Sequence, residues 1–84
     1  MTLDELARGV AARISGFSDD ANDVRTVAKL REIGFAEGDE VELMHRGLIG
    51  GTPLSFRLNR TLIALRKREA KLIRIDEIAH GEAA

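Results

Sequence analysis

The side chains that could carry catalysis are few and scattered. Two histidines, His45 and His80, and three serines, Ser15, Ser18 and Ser55, are the only imidazoles and primary hydroxyls in the chain, and cysteine is absent. Nucleophilic chemistry would therefore need a serine held against a histidine able to take its proton, and the sequence contexts of these five do not pair them. Nor does the chain contain G-x-S-x-G, the phosphate-cradling G-x-x-x-x-G-K-[ST] or the zinc-binding H-E-x-x-H. A chain with these parts is expected not to be an enzyme.

Metal chemistry has slightly more to work with. His45 falls in an alternating stretch, Glu40–His45, and reads as a half-buried histidine on a strand. His80 stands between Glu77 and Glu82. A closed structural zinc site takes four ligands, and neither histidine has such a set nearby. Both are weak candidates for Fe(II) or another divalent transition metal, held loosely or shared between copies, and no cofactor is required. The absence of cysteine also excludes disulfides, thiolate zinc sites and iron–sulfur clusters.

Binding is better provided for. Leu48 and Ile49 precede Gly50-Gly51 in a segment closed by Pro53, and exposed apolar loop residues mark recognition surfaces. The competing reading has Leu48 and Ile49 folding back over the body of the protein. Arg57 to Arg74 holds seven basic residues against Glu69 alone, whereas Asp19 to Glu42 is mainly acidic. This asymmetry fits two faces steering different contacts, or simply two solvated surfaces. Leu48, Ile49 and Pro53 are the expected apolar contacts with a partner, and Arg66, Lys67 and Arg68 the charged rim around them. No aromatic lies near that basic corner to stack on bases, so nucleic acid is not an expected partner.

The elements that must position these residues can be read from periodicity. Thr2 and Glu5 have capping-box spacing and should open a short N-terminal helical turn. Val10, Ala12, Ile14 and Gly16 alternate with Ala11, Arg13 and Ser15, which predicts a first strand. Asp19, Asp20, Asn22 and Asp23 supply cap oxygens for a helix over about residues 21–33, with Val24, Val27, Leu30 and Ile33 as its apolar stripe. Gly34 then takes the left-handed stop and Phe35 the contact that accompanies it. Beyond the turn at Glu37–Asp39 the period becomes two. Strands are expected at Glu40–His45, Leu54–Leu58, Thr61–Leu65 and Leu72–Ile75, with Gly47–Pro53 as a loop and Arg66–Lys71 as a charged corner. Asn59 suits a positive φ in the tight turn before Thr61.

Five short strands cannot bury two faces as an open sheet, so they should curl into a small barrel with the helix over one end. The fold class is mainly β: a five-stranded barrel with one α-helix and a short N-terminal helical turn. Residues 1–76 form the domain and 77–84 a tail. The longest apolar runs are too short to cross a bilayer, and no basic start leads into an apolar stretch of signal-peptide type. A cytoplasmic setting is expected. Self-association through an uncovered edge strand is a further expectation.

Four spaced motifs carry a family resemblance. They are Leu3-x-x-Leu6-x-x-Gly9, Leu30-x-x-Ile33-Gly34-Phe35-x-x-Gly38-x-x-Val41, Gly50-Gly51-x-Pro53-Leu54 and Ile63-Ala64-Leu65-Arg66-x-x-Glu69-Ala70-x-x-Ile73. In order and spacing they resemble the FeoA family across about residues 3–75. The resemblance implies an SH3-like barrel and a role in bacterial ferrous iron uptake, as an accessory protein on the cytoplasmic side of the FeoB-type membrane transporter. Related domains end some metal-dependent repressors, which implies an alternative role as a metal-responsive binding or oligomerisation module. Thr52 stands where the family often has an acidic residue, and Asn59-Arg60 replaces a glycine-bearing turn.

Overall fold

A computed structural model places residues 1–47 and 50–78. The strands are β1 (Ala11–Phe17), β2 (Glu40–Gly47), β3 (Gly51–Leu58), β4 (Thr61–Leu65) and β5 (Ile73–Glu77). The helices are α1 (Val24–Ile33) and the single turn α2 (Lys67–Ala70), with 3-10 turns at Leu3–Glu5 and Ala21–Asp23. The strands form one sheet in the order β4-β3-β2-β1-β5, and every pairing is antiparallel.

Two features curl this sheet. Its outermost strands, β4 and β5, are joined by Arg66–Leu72 alone, a short link, part of it the compact helical turn α2, that draws the two edges toward each other. The strands also carry bulges, in β1 between Ile14 and Gly16 and in β2 between Leu43 and His45, and bulges bend and twist a strand. The result is the expected SH3-like, barrel-like sheet around an aliphatic core. Ala12, Ile14, Leu43, Leu54, Phe56 and Ile73 lie within it, each 1% exposed or less.

The N-terminal segment closes one side. Glu5 Oε1 accepts the Thr2 N–H at 2.9 Å, the reach-back half of a capping box. Leu3 and Leu6 are then fully buried. Met1 O accepts the Ile75 N–H at 2.9 Å and Thr2 bridges to Arg74, so the outer edge of β5 is covered there. At the other end of the chain, Glu77 completes β5, and Ile78 donates to Ala11 O at 3.0 Å. The rest of the expected tail lies outside the described residues.

The helix start and stop follow the expected chemistry. Asp20 Oδ1 accepts the Asn22 N–H at 2.8 Å, and Ser18 Oγ donates to Asp23 Oδ2 at 2.7 Å. Gly34 has φ 132°, and Phe35, now buried, donates its N–H back to Leu30 O at 3.1 Å. The apolar stripe differs from expectation. Steps of three residues rotate about 60° backwards each time, so Val24 and Ile33 fall on opposite sides of the helix. Leu30 alone of the four is buried, and Val24 stays 63% exposed. The helix is held by Leu30, by partly buried Val27 and by Phe35.

Three further corrections concern the strands. The bulge in β1 moves Phe17 onto the buried face in place of Gly16. Gly47–Pro53 is not one loop, because Gly47 pairs with Gly51 and both flanking strands run into it. The charged corner holds a helical turn, α2, whose Ala70 is fully buried.

Candidate functional site

The β3 register decides what faces outward. Leu54, Phe56 and Leu58 are buried, so Pro53, Ser55 and Arg57 point away from the core. Across the outer face, one row runs His45–Ser55–Ala64 and the next Glu42–Arg57–Leu62. Arg57 Nη2 donates to Glu42 Oε1 at 2.5 Å within that second row.

His45 is exposed, contrary to the half-buried place expected for it. The reason is the bulge. Leu43 pairs with Phe56 but His45 with the next residue, Ser55, so Met44 is the inserted residue and the inward alternation that includes Val41 and Leu43 ends before His45. No group of three or more histidine, aspartate or glutamate residues able to hold a metal occurs among the described residues. His80, the other weak candidate, lies outside them, as do Leu48 and Ile49.

Pro53 and the basic corner come together. Leu54 pairs with Leu65, so Pro53 and Arg66, the next residue of each strand, reach the same end of the sheet as the β2–β3 connection. Pro53, Arg66, Lys67 and Arg68 are all exposed there. The Arg66 backbone N–H donates to Glu69 Oε1 at 2.8 Å, which caps the start of α2. Two segments far apart in the sequence thus meet at one end of the sheet.

The charge asymmetry is partly neutralised in place. Arg57 pairs with Glu42, Arg74 Nη2 lies 3.5 Å from Asp19 Oδ1, and Arg31 forks onto both oxygens of Glu37 at 2.9 Å. That fork holds the Glu37 carboxyl below its ordinary value of 4.5 and raises Arg31 above its own. Glu5 is likewise lowered, chiefly by the backbone N–H of Thr2. Arg60, Arg66, Lys67 and Arg68 make no ion pair with any described residue. An open groove of about 510 Å³ is lined by Glu40, Val41, Glu42, Arg57, Asn59 and Arg60, the Arg57–Glu42 pair among them.

Arg46 was not singled out by its sequence context. Its Nη2 donates to Leu6 O at 2.8 Å, reaching from β2 to the N-terminal turn. An arginine immediately before a glycine-containing segment carries no local signal of that bond.

The FeoA domain matches residues 1–77. The chain belongs to the FeoA family. A FeoA structure from Stenotrophomonas maltophilia, complexed with zinc and described as an SH3 domain protein, shares 40% identity, with a TM-score of 0.78 over 90% of this chain and 89% of the other. Iron(II) transport protein A from Clostridium thermocellum is 34% identical, with a TM-score of 0.75 over 93% of this chain and 46% of the other. A manganese-dependent transcriptional repressor shares the fold alone, at 17% identity and a TM-score of 0.80 over 93% of this chain and 41% of the other. A comparison with curated proteins finds no match. No helix among the described residues of this FeoA-family chain is long and apolar enough to cross a membrane.

Proposed function

We propose that this FeoA-family chain is a non-catalytic accessory protein of bacterial ferrous iron uptake, working in the cytoplasm. It docks on the cytosolic part of a FeoB-type transporter and modulates it. The observation that carries this reading is the convergence of exposed Pro53 with exposed Arg66, Lys67 and Arg68, which make no ion pair with a described residue, at one end of the sheet from which the β2–β3 connection leaves. Family membership supplies the system. The Stenotrophomonas relative has itself been put forward as a ferrous iron transport activating factor, and the Clostridium relative is an iron(II) transport protein. Pull-down with the transporter's cytosolic domain tests the docking. Binding should weaken on Leu48→Asp with Ile49→Asp, and unchanged binding removes that connection from the contact.

A second reading is a module that responds to a transition metal by changing its oligomeric state. It is favoured by the zinc complex of the Stenotrophomonas relative. In this chain the ion would sit on exposed His45 and be shared between copies. Calorimetry with ferrous iron, and with zinc beside it, separates the two readings: tight stoichiometric binding lost on His45→Ala belongs to the second.

A further inference from the structure

The two edges of the sheet are treated differently. The outer edge of β5 is covered by Met1 and Thr2. The outer edge of β4 receives no backbone hydrogen bond from any described residue. Natural edge strands are usually guarded by an inward charge, a proline or a bulge. β4 has none of these: it reads Thr-Leu-Ile-Ala-Leu and pairs with β3 without a register shift. Leu62 lies on it 70% exposed, the most exposed large apolar side chain among the described residues.

The register tells which groups are free. A two-residue turn at Asn59-Arg60 closes on Leu58 and Thr61, the pair that in such hairpins exchanges both hydrogen bonds. Alternation then directs the N–H and C=O of Leu62 and Ala64 away from β3. The charges are placed at the two ends: Arg60 precedes the strand, and Arg66, Lys67 and Arg68 follow it, all without ion pairs to described residues.

These charges favour an acidic occupant. A second copy adding its own β4 antiparallel in full overlap, centred on Ile63, would set Arg60 opposite Arg66 at both ends, and like charges facing across strands are unfavourable. We propose that the β4 edge receives an extended segment of another protein, one with acidic residues at both ends and an apolar residue beside Leu62, as an added strand. Main-chain bonds to Leu62 and Ala64 hold the segment, and Arg60 with Arg66–Arg68 fixes its ends. This goes beyond the transporter reading, because it specifies the chemistry of the segment whichever protein supplies it.

The test titrates the isotope-labelled chain with the peptide acetyl-Glu-Asp-Val-Thr-Val-Thr-Asp-Glu-amide, and with a version whose acidic residues are lysines. The acidic peptide should shift the Leu62 and Ala64 amides saturably and slow their exchange, and the basic one should not. Ala64→Pro removes an outward N–H at an edge position, where proline is tolerated, and should weaken binding at least tenfold. Arg60→Glu with Arg66→Glu should do the same, and it decides the matter if Ala64→Pro fails to fold. Equal binding of both peptides, shifts centred elsewhere, or a free chain that dimerises through this edge would overturn the proposal. The titration needs no transporter, so its failure and the failure of transporter docking are separate results.

Discussion

The guanidinium carbon of Arg31 lies 4.3 Å from the centre of the Phe17 ring. Arg31 is on α1 and Phe17 ends β1, so this contact ties the helix to the sheet. The same guanidinium forks onto Glu37 in the turn that leads to β2. One side chain thus links three successive segments, using both the attraction of a cation for a ring face and a bidentate pair.

The Arg31–Glu37 pair predicts a pH dependence. The Glu37 carboxyl is held below its ordinary value of 4.5, first by the Arg31 hydrogen bond. A depressed carboxyl stabilises the fold above its unfolded value and loses that contribution as pH falls through the folded one. Glu37→Gln should therefore lower the melting temperature slightly near neutral pH, and the difference should close as the solution is made more acid than the ordinary carboxylate range. Both groups are exposed, so added salt should shrink it. Arg31→Ala should cost more than Glu37→Gln, since it also uncovers Phe17. Thermal melts across that pH range check both.

Phe56 occupies the middle of β3, fully buried and paired with Leu43 and Ile63. Phe56→Ala should destabilise the fold by about 3–5 kcal/mol, the usual cost of emptying a core aromatic site. In a domain this small that is most or all of the stability. Denaturant unfolding would show it, and a loss below about 1 kcal/mol would mean that the barrel collapses freely around the gap.

Gly47 and Gly16 make a matched pair of tests. A Cβ on Gly47 would run into the backbone carbonyl of Thr52 and come 2.8 Å from Pro53 N, whereas one on Gly16 meets nothing within 4 Å. Gly47→Ala should cost about 1–3 kcal/mol, as overpacking does. Gly16→Ala should be close to neutral. Equal effects on the unfolding midpoint would show that the β2–β3 end is less tightly built than this contact implies.

Reversing the basic corner, Arg66→Glu with Lys67→Glu and Arg68→Glu, should slow association with the transporter's cytosolic domain and flatten its salt dependence. Exposed rim charges act mainly on the rate of encounter. Stopped-flow association at low and high salt measures this. Loss of Tm by the same variant is not expected, because the three side chains are exposed and none forms an ion pair with a described residue.

Much of the fold was legible because local chemistry and tertiary packing agree in it. Gly34 and Phe35 stop the helix as their types dictate, Asn59 adopts φ 56°, and β3 and β4 alternate cleanly. What escaped was set by features with no residue signature. The bulge at Met44 shifts the register by one and turns His45 outward, and nothing in Leu43-Met44-His45 announces it. α2 is one turn long, with caps that are backbone and glutamate, and it reads as a charged loop. At the candidate site, Pro53 and Arg66 were found separately, but only the Leu54–Leu65 pairing places them together.

The pairing of β1 with β5 has a consequence for how the chain is made. β2, β3 and β4 form a local meander whose partners lie close in sequence, whereas Ile14 finds Ile75 only after roughly sixty intervening residues, and such distant pairings form late. During synthesis the first strand emerges early and waits with one flank open until the last strand has left the ribosome. Completion of the sheet therefore waits on the emergence of β5. A stall before residue 73 would leave a nascent chain with its meander formed and the apolar face of β1 uncovered, the kind of surface that chaperones bind.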